Sequence, residues 1–269
     1  SLNSFTGDNL DICFEDITQG WLLNYESWLR AKGNKETTIS IQFRTLRSVY
    51  NKAIKRKCVG KEYYPFEDFH INKFNVHTDK RAISKNDVLK IISADLTGKS
   101  EYVKFSRDIF VFSYLCGGIN FCDVASLTKE NILNGRLFYV RQKTGKQINL
   151  CLTKNASAII DKYYKGGKGF LFPILDVTRH ITATQRENRL HKVLGQVDKS
   201  LKIVAQIAKV DVNLTTYVAR HSYATVLKRS GVPTSIICES LGHSSERVTQ
   251  IYLDSFENEQ IDEAMKNLL

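Results

Sequence analysis

The chain has 269 residues, enough for one or two domains with a substantial core, and hydrophobic and aromatic residues make up 42% and 10% of it. This composition excludes an intrinsically disordered protein, and no apolar run is long enough to span a bilayer. The formal net charge of +11 favours a polyanionic partner, with DNA or RNA ahead of an anionic membrane surface, although a merely basic soluble protein also fits.

Six cysteines are scattered along the chain, and no two of them form a Cys-x-x-Cys pair. We therefore expect reduced thiols in the core of a cytosolic protein and no zinc site, because zinc ligands cluster at short spacing. The N-terminal residues lack the charged and then apolar layout of a secretion signal, and they lack an initiator Met. We therefore expect a cytoplasmic protein and a chain that is a fragment of a longer one.

Two amphipathic helices are predicted in the first part of the chain, one ending at Gly33 and one beginning near Glu36. The apolar face of the first is formed by Leu22, Tyr25, Trp28 and Leu29. The apolar face of the second is formed by Ile39, Phe43, Leu46, Tyr50 and Ile54. Arg44 and Arg47 lie one turn apart on a different face of the second helix. They fit either an ordinary solvated surface or a contact with a DNA backbone.

A polar, aperiodic segment at residues 73–81 is predicted to link a small helical domain, residues 1–77, to a larger domain, residues 78–269. Beyond this segment, Ser84 and Asp87 form a Ser-x-x-Asp capping pattern that predicts the start of a helix. A further helix is expected to end at Gly117-Gly118, and its apolar face is formed by Phe105, Ile109 and Phe112.

The apolar period then changes from that of helices to that of strands. Strands are expected at residues 132–133, 137–140 and 147–152, with tight turns at Asn134-Gly135 and at residues 143–146. A long helical stripe follows at Leu190, Val193, Leu194, Val197, Leu201 and Val204. The predicted fold class is therefore mainly α with a small three-stranded antiparallel sheet (α+β).

The most informative segment is residues 215–253. Its characteristic residues are Thr215, Ala219-Arg220-His221, Ala224-Thr225, Leu241-Gly242-His243 and Tyr252. In this order and at this spacing they resemble the second conserved box of the tyrosine recombinase, or phage integrase, family. The resemblance implies a helical core-binding domain followed by a tyrosine recombinase catalytic domain.

The resemblance also implies a DNA-cleaving site in which Tyr252 is the nucleophile, Arg220 binds the phosphate and His243 hydrogen-bonds to it. A tyrosine oxygen attacks phosphorus and conserves the bond energy as a phosphotyrosine, so no metal or other cofactor is implied. Arginine suits the phosphate because its planar group stays charged and stabilises charge that develops in the transition state. His221 is interpreted as a structural histidine of the motif.

In this family a lysine on the turn between the second and third strands donates a proton to the departing 5′ oxygen. Lys143 fits that turn and Lys146 is the second candidate, although an ordinary solvent-facing lysine would fit equally well without the rest of the pattern. The family usually has a histidine where this chain has Tyr217, whose hydroxyl can still donate to a phosphate oxygen.

The first catalytic arginine of the family is missing. The first box often reads Gly-Leu-Arg-x-x-Glu-Leu, and here Asn120 stands at the arginine position while Asp123 keeps the acidic one. Residues 110–131 closely resemble integrases of Bacteroides-type mobile elements, which often lack that arginine too and carry one earlier, where this chain has Gly117. Losing a charged donor is expected to cost about 2–4 kcal/mol of transition-state stabilisation. Either another basic residue takes its place or the enzyme is weakened.

The partner implied by the resemblance is double-stranded DNA, bound by a homotetramer in a bacterial, nucleoid-associated setting. Arg44, Arg47 and Lys146 are the candidate DNA contacts outside the catalytic residues. The tail, residues 254–269, has the apolar face of a short helix that either packs in cis or docks on a neighbouring protomer.

Two alternatives stay open at this point. Residues 219–241 also fit a helix-turn-helix, so the chain could be a degenerate recombinase that binds DNA without chemistry. A type IB topoisomerase shares the nucleophile and the phosphate-binding arginine, but it acts as a monomer and needs no second DNA site.

Overall fold

The computed structural model describes residues 1–75, 82–167, 169–250 and 253. The chain divides into two compact units, Ser1–Asp79 and Lys80–Leu269, and each has its own hydrophobic core. Both units are built mainly from helices, and the second also contains a three-stranded antiparallel sheet. The predicted fold class, mainly α with a small antiparallel sheet, is confirmed.

The first unit is built around two packed helices that the apolar pattern predicted. Its helices are α1 (Leu2–Phe5), α2 (Gln19–Ala31) and α3 (Glu36–Lys55). The Thr18 hydroxyl begins α2 by accepting a hydrogen bond from the Trp21 amide at 3.2 Å. On α3, Phe43 is fully buried whereas Arg44 and Arg47 are exposed, so this helix presents a basic face to solvent.

The start of the predicted linker, residues 73–81, was assigned incorrectly. Lys73 forms an ion pair with Glu26 at 2.6 Å, and Phe74 is buried with its ring centroid 5.5 Å from that of Phe43. An aromatic ring that stacks on the core stabilises the first unit more than a solvated linker would, so the unit extends at least to Phe74. Residues 76–81 of the predicted linker lie outside the described part of the chain.

The second unit surrounds a central, largely buried helix, α5. The elements of this unit are α4 (Lys85–Ser93), α5 (Glu101–Leu115), α6 (Phe121–Ser126), β1 (Ile132–Leu133), β2 (Arg136–Val140), β3 (Gln147–Cys151), α7 (Lys154–Tyr163), α8 (Ala183–Ile207), α9 (Thr216–Arg229), α10 (Thr234–Ser240) and α11 (Glu246–Gln250). Helix α5 packs against α7, α8 and α9. As predicted, Ser84 caps α4 by accepting from the Asp87 amide. None of the helices in the described ranges is both long and apolar enough to cross a membrane.

The small sheet has the order β1-β2-β3, with antiparallel pairing throughout. Asn134 and Gly135 join β1 to β2 with φ angles of 49° and 72°, the left-handed conformation that a two-residue hairpin turn requires. In β2, Leu137 and Tyr139 face the core, opposite Leu150 and Ile148 of β3. This alternation sets the direction of the next inward residue, Arg141.

The cysteines are less buried than predicted. Cys116 and Cys238 lie in the core, but Cys13, Cys58 and Cys151 are exposed. The expectation of core thiols was therefore wrong for these three positions, because each lies in a loop or on the edge strand of the sheet rather than on an apolar face.

Candidate active site

Helix α9 carries three of the residues that the sequence motif singled out. Its first amide, that of Thr216, donates to the Asp198 carboxylate of α8 at 2.8 Å, which satisfies one of the free amides at the helix start. Tyr217 and His221 lie one turn apart, with an edge-on ring contact at 4.8 Å between centroids. Tyr217 is 43% exposed, whereas Arg220 is only 1% exposed. The helix therefore sends its arginine inward and leaves its tyrosine at the surface.

The Arg220 guanidinium connects α9 to two other segments, the loop at Gly118 and the Leu241–His243 turn. Its Nη1 donates to the Gly118 carbonyl at 2.8 Å, and its Nη2 donates to the Leu241 carbonyl and lies 3.0 Å from Nε2 of His243. Gly118 has φ +64°, and a Cβ there would lie 2.8 Å from Cα of Arg220. Glycine is therefore needed both for the backbone angle and for the close approach of α9.

His243 is buried and neutral, and its neighbours fix its tautomer. An arginine only donates, so Nε2 of His243 must accept from Arg220, and Nδ1 then donates to the Thr249 hydroxyl at 2.9 Å. Burial lowers the pKa of His243 to about 3, helped by the positive charges of Arg220, Arg141, Lys143 and Lys146. The expected hydrogen bond from His243 to a phosphate needs Nε2, which in this structure accepts from Arg220 instead.

The two candidate lysines on the turn between β2 and β3 differ in their contacts. The Lys146 ammonium donates to the carbonyl of His243, so it anchors the turn. Lys143 is exposed, and its charge lies close enough to His243 to contribute to its lowered pKa. Of the two, Lys143 is the better candidate for a mobile proton donor because no backbone carbonyl holds its ammonium among the described residues.

Arg141 is a buried cation that the sequence analysis did not single out. It is 3% exposed, and its Nη1 donates to the Gly242 carbonyl at 2.8 Å. Its Nε is buried without a hydrogen-bond partner among the described residues. The alternation of β2 could have identified it, because Leu137 and Tyr139 face inward and position 141 continues the same face.

The acidic position of the first box links α6 to the same turn. The Asp123 carboxylate accepts a hydrogen bond from the Gln142 amide at 3.0 Å. Burial raises the pKa of Asp123, while the Gln142 amide and the charges of Arg141 and Arg220 oppose that rise. Asn120 begins α6 without a side-chain cap. Within the described ranges, no three His, Cys, Asp or Glu side chains lie close enough together to hold a metal ion.

The expected nucleophile, Tyr252, lies outside the described residues, as does the tail at residues 254–269. The described residues on either side of it belong to this site. Thr249 hydrogen-bonds to His243, and Leu253 is buried in a small apolar cluster with Ala224 and Leu241.

The sequence-predicted residues thus fall into two groups. Arg220, His243, Lys143 and Lys146 are brought together around the Leu241–His243 turn, with Tyr217 on the same helix as Arg220. Arg44 and Arg47 belong to the first unit, where they line a shallow groove with His70 and Asn72.

A buried arginine on a helix, a histidine beside a glycine turn and a lysine on the hairpin of a small sheet match the arrangement that the resemblance to tyrosine recombinases implied. The phage integrase family model matches residues 81–259, and the model of the phage integrase SAM-like domain matches residues 1–75. The chain therefore belongs to the phage integrase family. Site-specific recombination of DNA is the activity of this class.

Curated relatives and solved structures agree with this assignment. The chain is 24% identical over 239 residues to tyrosine recombinase XerD of Halalkalibacterium halodurans, covering 88% of this chain and 77% of the relative. It is 26% identical over 260 residues to XerC of Pediococcus pentosaceus, covering 92% and 80%.

Two DNA-bound integrases have similar folds at low sequence identity. A lambda integrase dimer bound to a COC′ core site matches with a TM-score of 0.66 at 16% identity, covering 95% of this chain and 89% of the other. The integrase of transposon Tn1549 in complex with transposon right end DNA matches with a TM-score of 0.66 at 16% identity, covering 99% and 90%. At 16% identity, these similarities support the assignment of the fold alone.

Proposed function

We propose that this protein cleaves and rejoins DNA through a 3′-phosphotyrosine formed on Tyr252. The proposal rests on one observation: Arg220, His243 and the hairpin that bears Lys143 come from separate segments and meet at the Leu241–His243 turn. Tyr252 follows this turn at the spacing that is typical of the family.

The chemistry assigns a different task to each group. The Tyr252 oxygen forms a bond to phosphorus, the bond from phosphorus to the 5′ oxygen breaks, and the phenol proton passes to solvent. The departing 5′ oxygen takes a proton from the Lys143 ammonium. Arg220 donates to the nonbridging oxygens, where charge builds up in the transition state. His243 holds the Arg220 guanidinium in place, and Tyr217 supplies a neutral donor.

Arg141 is our candidate for the guanidinium that Asn120 cannot supply. It is buried, it donates to the Gly242 carbonyl one residue after the carbonyl that accepts from Arg220, and its charge acts on both His243 and Asp123. A guanidinium is worth much more than an amide to a phosphate because it stays charged and binds through two donors. The Nε of Arg141 is available as one of these donors, because it has no hydrogen-bond partner among the described residues.

Both guanidinium groups are covered in the structure. Arg220 and Arg141 are 1% and 3% exposed, so a phosphate reaches them only when the surrounding residues move. We therefore propose that DNA binding displaces the residues that cover the site, while the carbonyls of Gly118, Leu241 and Gly242 keep the guanidinium groups oriented.

The remaining roles follow from the family. We propose that residues 1–77 act as the core-binding domain through the basic face of α3, and that residues 78–269 act as the catalytic domain. A structurally similar lambda integrase is described as a tetramer bound to a Holliday junction. We propose a homotetramer on double-stranded DNA for this chain too, with the tail docking in trans.

The wider setting is also a proposal. Residues 110–131 and the absence of the first arginine support an integrase of a Bacteroides-type mobile element acting at the nucleoid in the bacterial cytoplasm. A helix-turn-helix reader has less support, because α10 carries no lysine or arginine and offers only serine and threonine hydroxyls as neutral donors to DNA.

The direct test is covalent trapping on nicked suicide duplexes of randomised sequence, read on a denaturing gel. We expect an adduct with the wild-type protein, none with Tyr252→Phe, and an unchanged yield with Tyr63→Phe, which removes an exposed hydroxyl in the first unit. DNA binding without any adduct would favour the non-catalytic alternative. Relaxation of supercoiled plasmid by a monomer would favour the topoisomerase.

A further inference from the structure

The turn between β2 and β3 has its own internal hydrogen bonds. The amides of Thr144 and Gly145 donate to the Arg141 carbonyl at 3.2 and 2.8 Å, and the Arg141 amide donates to the Lys146 carbonyl at 2.8 Å. Gly145 supplies the left-handed φ of +67° that closes the turn. These bonds shape the turn, but none of them fixes its position against the rest of the site.

The Gln142 amide attaches the turn to the Asp123 carboxylate of α6 on the N-terminal side of Lys143. Three side chains of the turn attach it to the Leu241–His243 turn, and we call these three contacts the hairpin clamp. Nη1 of Arg141 and the hydroxyl of Thr144 both donate to the Gly242 carbonyl, at 2.8 and 3.1 Å, and the Lys146 ammonium donates to the His243 carbonyl. At Gly242, an added Cβ would lie 2.8 Å from Cδ1 of Ile148. The sheet and the Gly242 turn are therefore in direct contact, and glycine is required there.

Lys143 lies inside this clamp, between Arg141 and Thr144 in the sequence. Its side chain is exposed, and an exposed lysine loses about 2 kcal/mol of rotamer entropy when its ammonium is held at one point. The position of the backbone therefore decides how often the ammonium reaches the leaving oxygen. The Thr144 hydroxyl is the attachment nearest to Lys143 on its C-terminal side.

We propose that Thr144 is a positioning residue that keeps the Lys143 ammonium within reach of the departing 5′ oxygen by anchoring the turn to the Gly242 carbonyl. This inference rests on the proposed function. Thr144 touches no reacting atom, and its contribution is one hydrogen bond between a side chain and a carbonyl. Removing it leaves the internal hydrogen bonds of the turn intact.

The identity of the leaving atom, oxygen or sulfur, distinguishes a positioning role of Thr144 from a purely structural one. A purely structural role would affect cleavage of both substrates equally. A departing 5′ oxygen needs the proton of Lys143, because an alkoxide is a strong base. A departing 5′ sulfur leaves as a thiolate, whose conjugate acid has a pKa of about 8.5, so it needs no acid. Cleavage at a bridging 5′ sulfur therefore still requires Tyr252 and Arg220 but no longer requires a positioned Lys143.

The experiment compares wild-type protein, Thr144→Val, Thr144→Ser and Lys143→Ala on matched duplexes with a bridging 5′ oxygen or 5′ sulfur. We expect Thr144→Val to slow adduct formation roughly three- to tenfold on the oxygen substrate, which corresponds to the loss of one net hydrogen bond. On the sulfur substrate it should match the wild type. Thr144→Ser keeps the hydroxyl and should restore the oxygen rate, while Lys143→Ala should show a larger loss with the same sulfur rescue.

Each other outcome is decisive. If Thr144→Val is unchanged on oxygen, or equally slow on both substrates, Thr144 does not position the acid. A variant that folds poorly loses rate on both substrates by the same factor, so the ratio of the two rates decides the test, and thermal unfolding midpoints identify a folding defect. If the wild-type protein forms no adduct with either substrate, the proposed function itself fails and this inference fails with it.

Discussion

The two units use arginine in opposite ways. On α3, Arg44 and Arg47 are exposed, whereas in the second unit Arg141 and Arg220 are almost fully buried and donate to backbone carbonyls. An exposed arginine binds any nearby phosphate, and salt screens that attraction. A buried arginine whose plane is fixed acts on a single phosphate, because its orientation is set before the substrate arrives. Under the proposed function, exposure therefore distinguishes the arginines that we expect to hold DNA from those that we expect to act on the reacting phosphate.

Burying charge carries an energetic cost that the second unit offsets with carbonyls. Isolated charges are costly to bury, and hydrogen bonds to Gly118, Leu241 and Gly242 replace the lost water. No such compensation is available to protonated His243 among four surrounding cations, which is why it stays neutral. The Leu241–His243 turn holds the two guanidinium groups and His243 together. Substitutions in this turn should therefore change both the stability of the fold and the rate of DNA cleavage.

The largest expected effect is on chemistry at Arg141. Arg141→Lys should slow adduct formation on the order of 10²-fold with little change in DNA affinity, because it removes a fixed planar donor to the phosphate. The loss should persist on the 5′ sulfur substrate, in contrast to Thr144→Val. Arg136→Lys, at the exposed start of the strand β2 that leads to Arg141, is the matched control and should cleave normally. A wild-type rate for Arg141→Lys would mean that Arg141 does not replace the arginine that is missing at Asn120.

The close contact between Gly118 and Arg220 should make a substitution of Gly118 lower the free energy of unfolding. Gly118→Ala and Gly98→Ala each add a side chain at a positive φ, +64° and +75°, and each should lose about 1–2 kcal/mol for that reason. Only Gly118→Ala also pushes a Cβ against Arg220, which should cost roughly 1–3 kcal/mol more. Urea unfolding measures the difference, and equal losses would mean that α9 does not approach Gly118 as described.

The neutral histidine predicts a pH effect of known sign. The pKa of His243 is lowered in the folded state to about 3, so the unfolded chain binds its proton first as the pH falls below about 6.5. The free energy of unfolding of the wild type should therefore fall by about 2 kcal/mol between pH 7 and pH 5, relative to His243→Gln. Parallel pH profiles for the two proteins would show that His243 titrates normally.

The smallest expected effect belongs to the exposed arginines. Replacing both Arg44 and Arg47 by Ala should reduce the slope of log affinity against log salt by about 1.8, because each lost phosphate contact changes it by about 0.9. Arg30→Ala is the control, since this side chain forms ion pairs with Glu26 and Glu36. If the slope does not change in the double variant, α3 does not contact the DNA backbone.

The helices and strands were largely predictable because the sequence patterns that indicate them lie within a few neighbouring residues. Apolar periods gave α3 and the sheet, Ser84 gave the start of α4, and Asn134-Gly135 gave the turn of the first hairpin. The linker was misjudged because its first residues are polar around Phe74, whose stacking on Phe43 depends on the folded core. Stacking between residues far apart in the sequence leaves no local pattern.

The proximity of the candidate residues was predictable where they follow a motif and was missed where it depends on contacts. Arg220 and His243 came from the resemblance to the family motif, but their mutual hydrogen bond, and the acceptor role that it gives His243, required coordinates. The choice between Lys143 and Lys146 likewise depended on the His243 carbonyl. Arg141 was within reach of the sequence, since it continues the inward face of β2, but an arginine after a strand is normally expected at the surface.

The most direct measurement is the identity of the residue that carries the DNA. After covalent trapping and nuclease digestion, trypsin cleavage at Arg247 and Lys266 releases residues 248–266, a peptide in which Tyr252 is the only tyrosine. We expect mass spectrometry to find a 3′-phosphonucleotide on that tyrosine. A nucleotide on any other peptide would contradict the assignment of Tyr252 as the group that attacks the DNA beside Arg220 and His243.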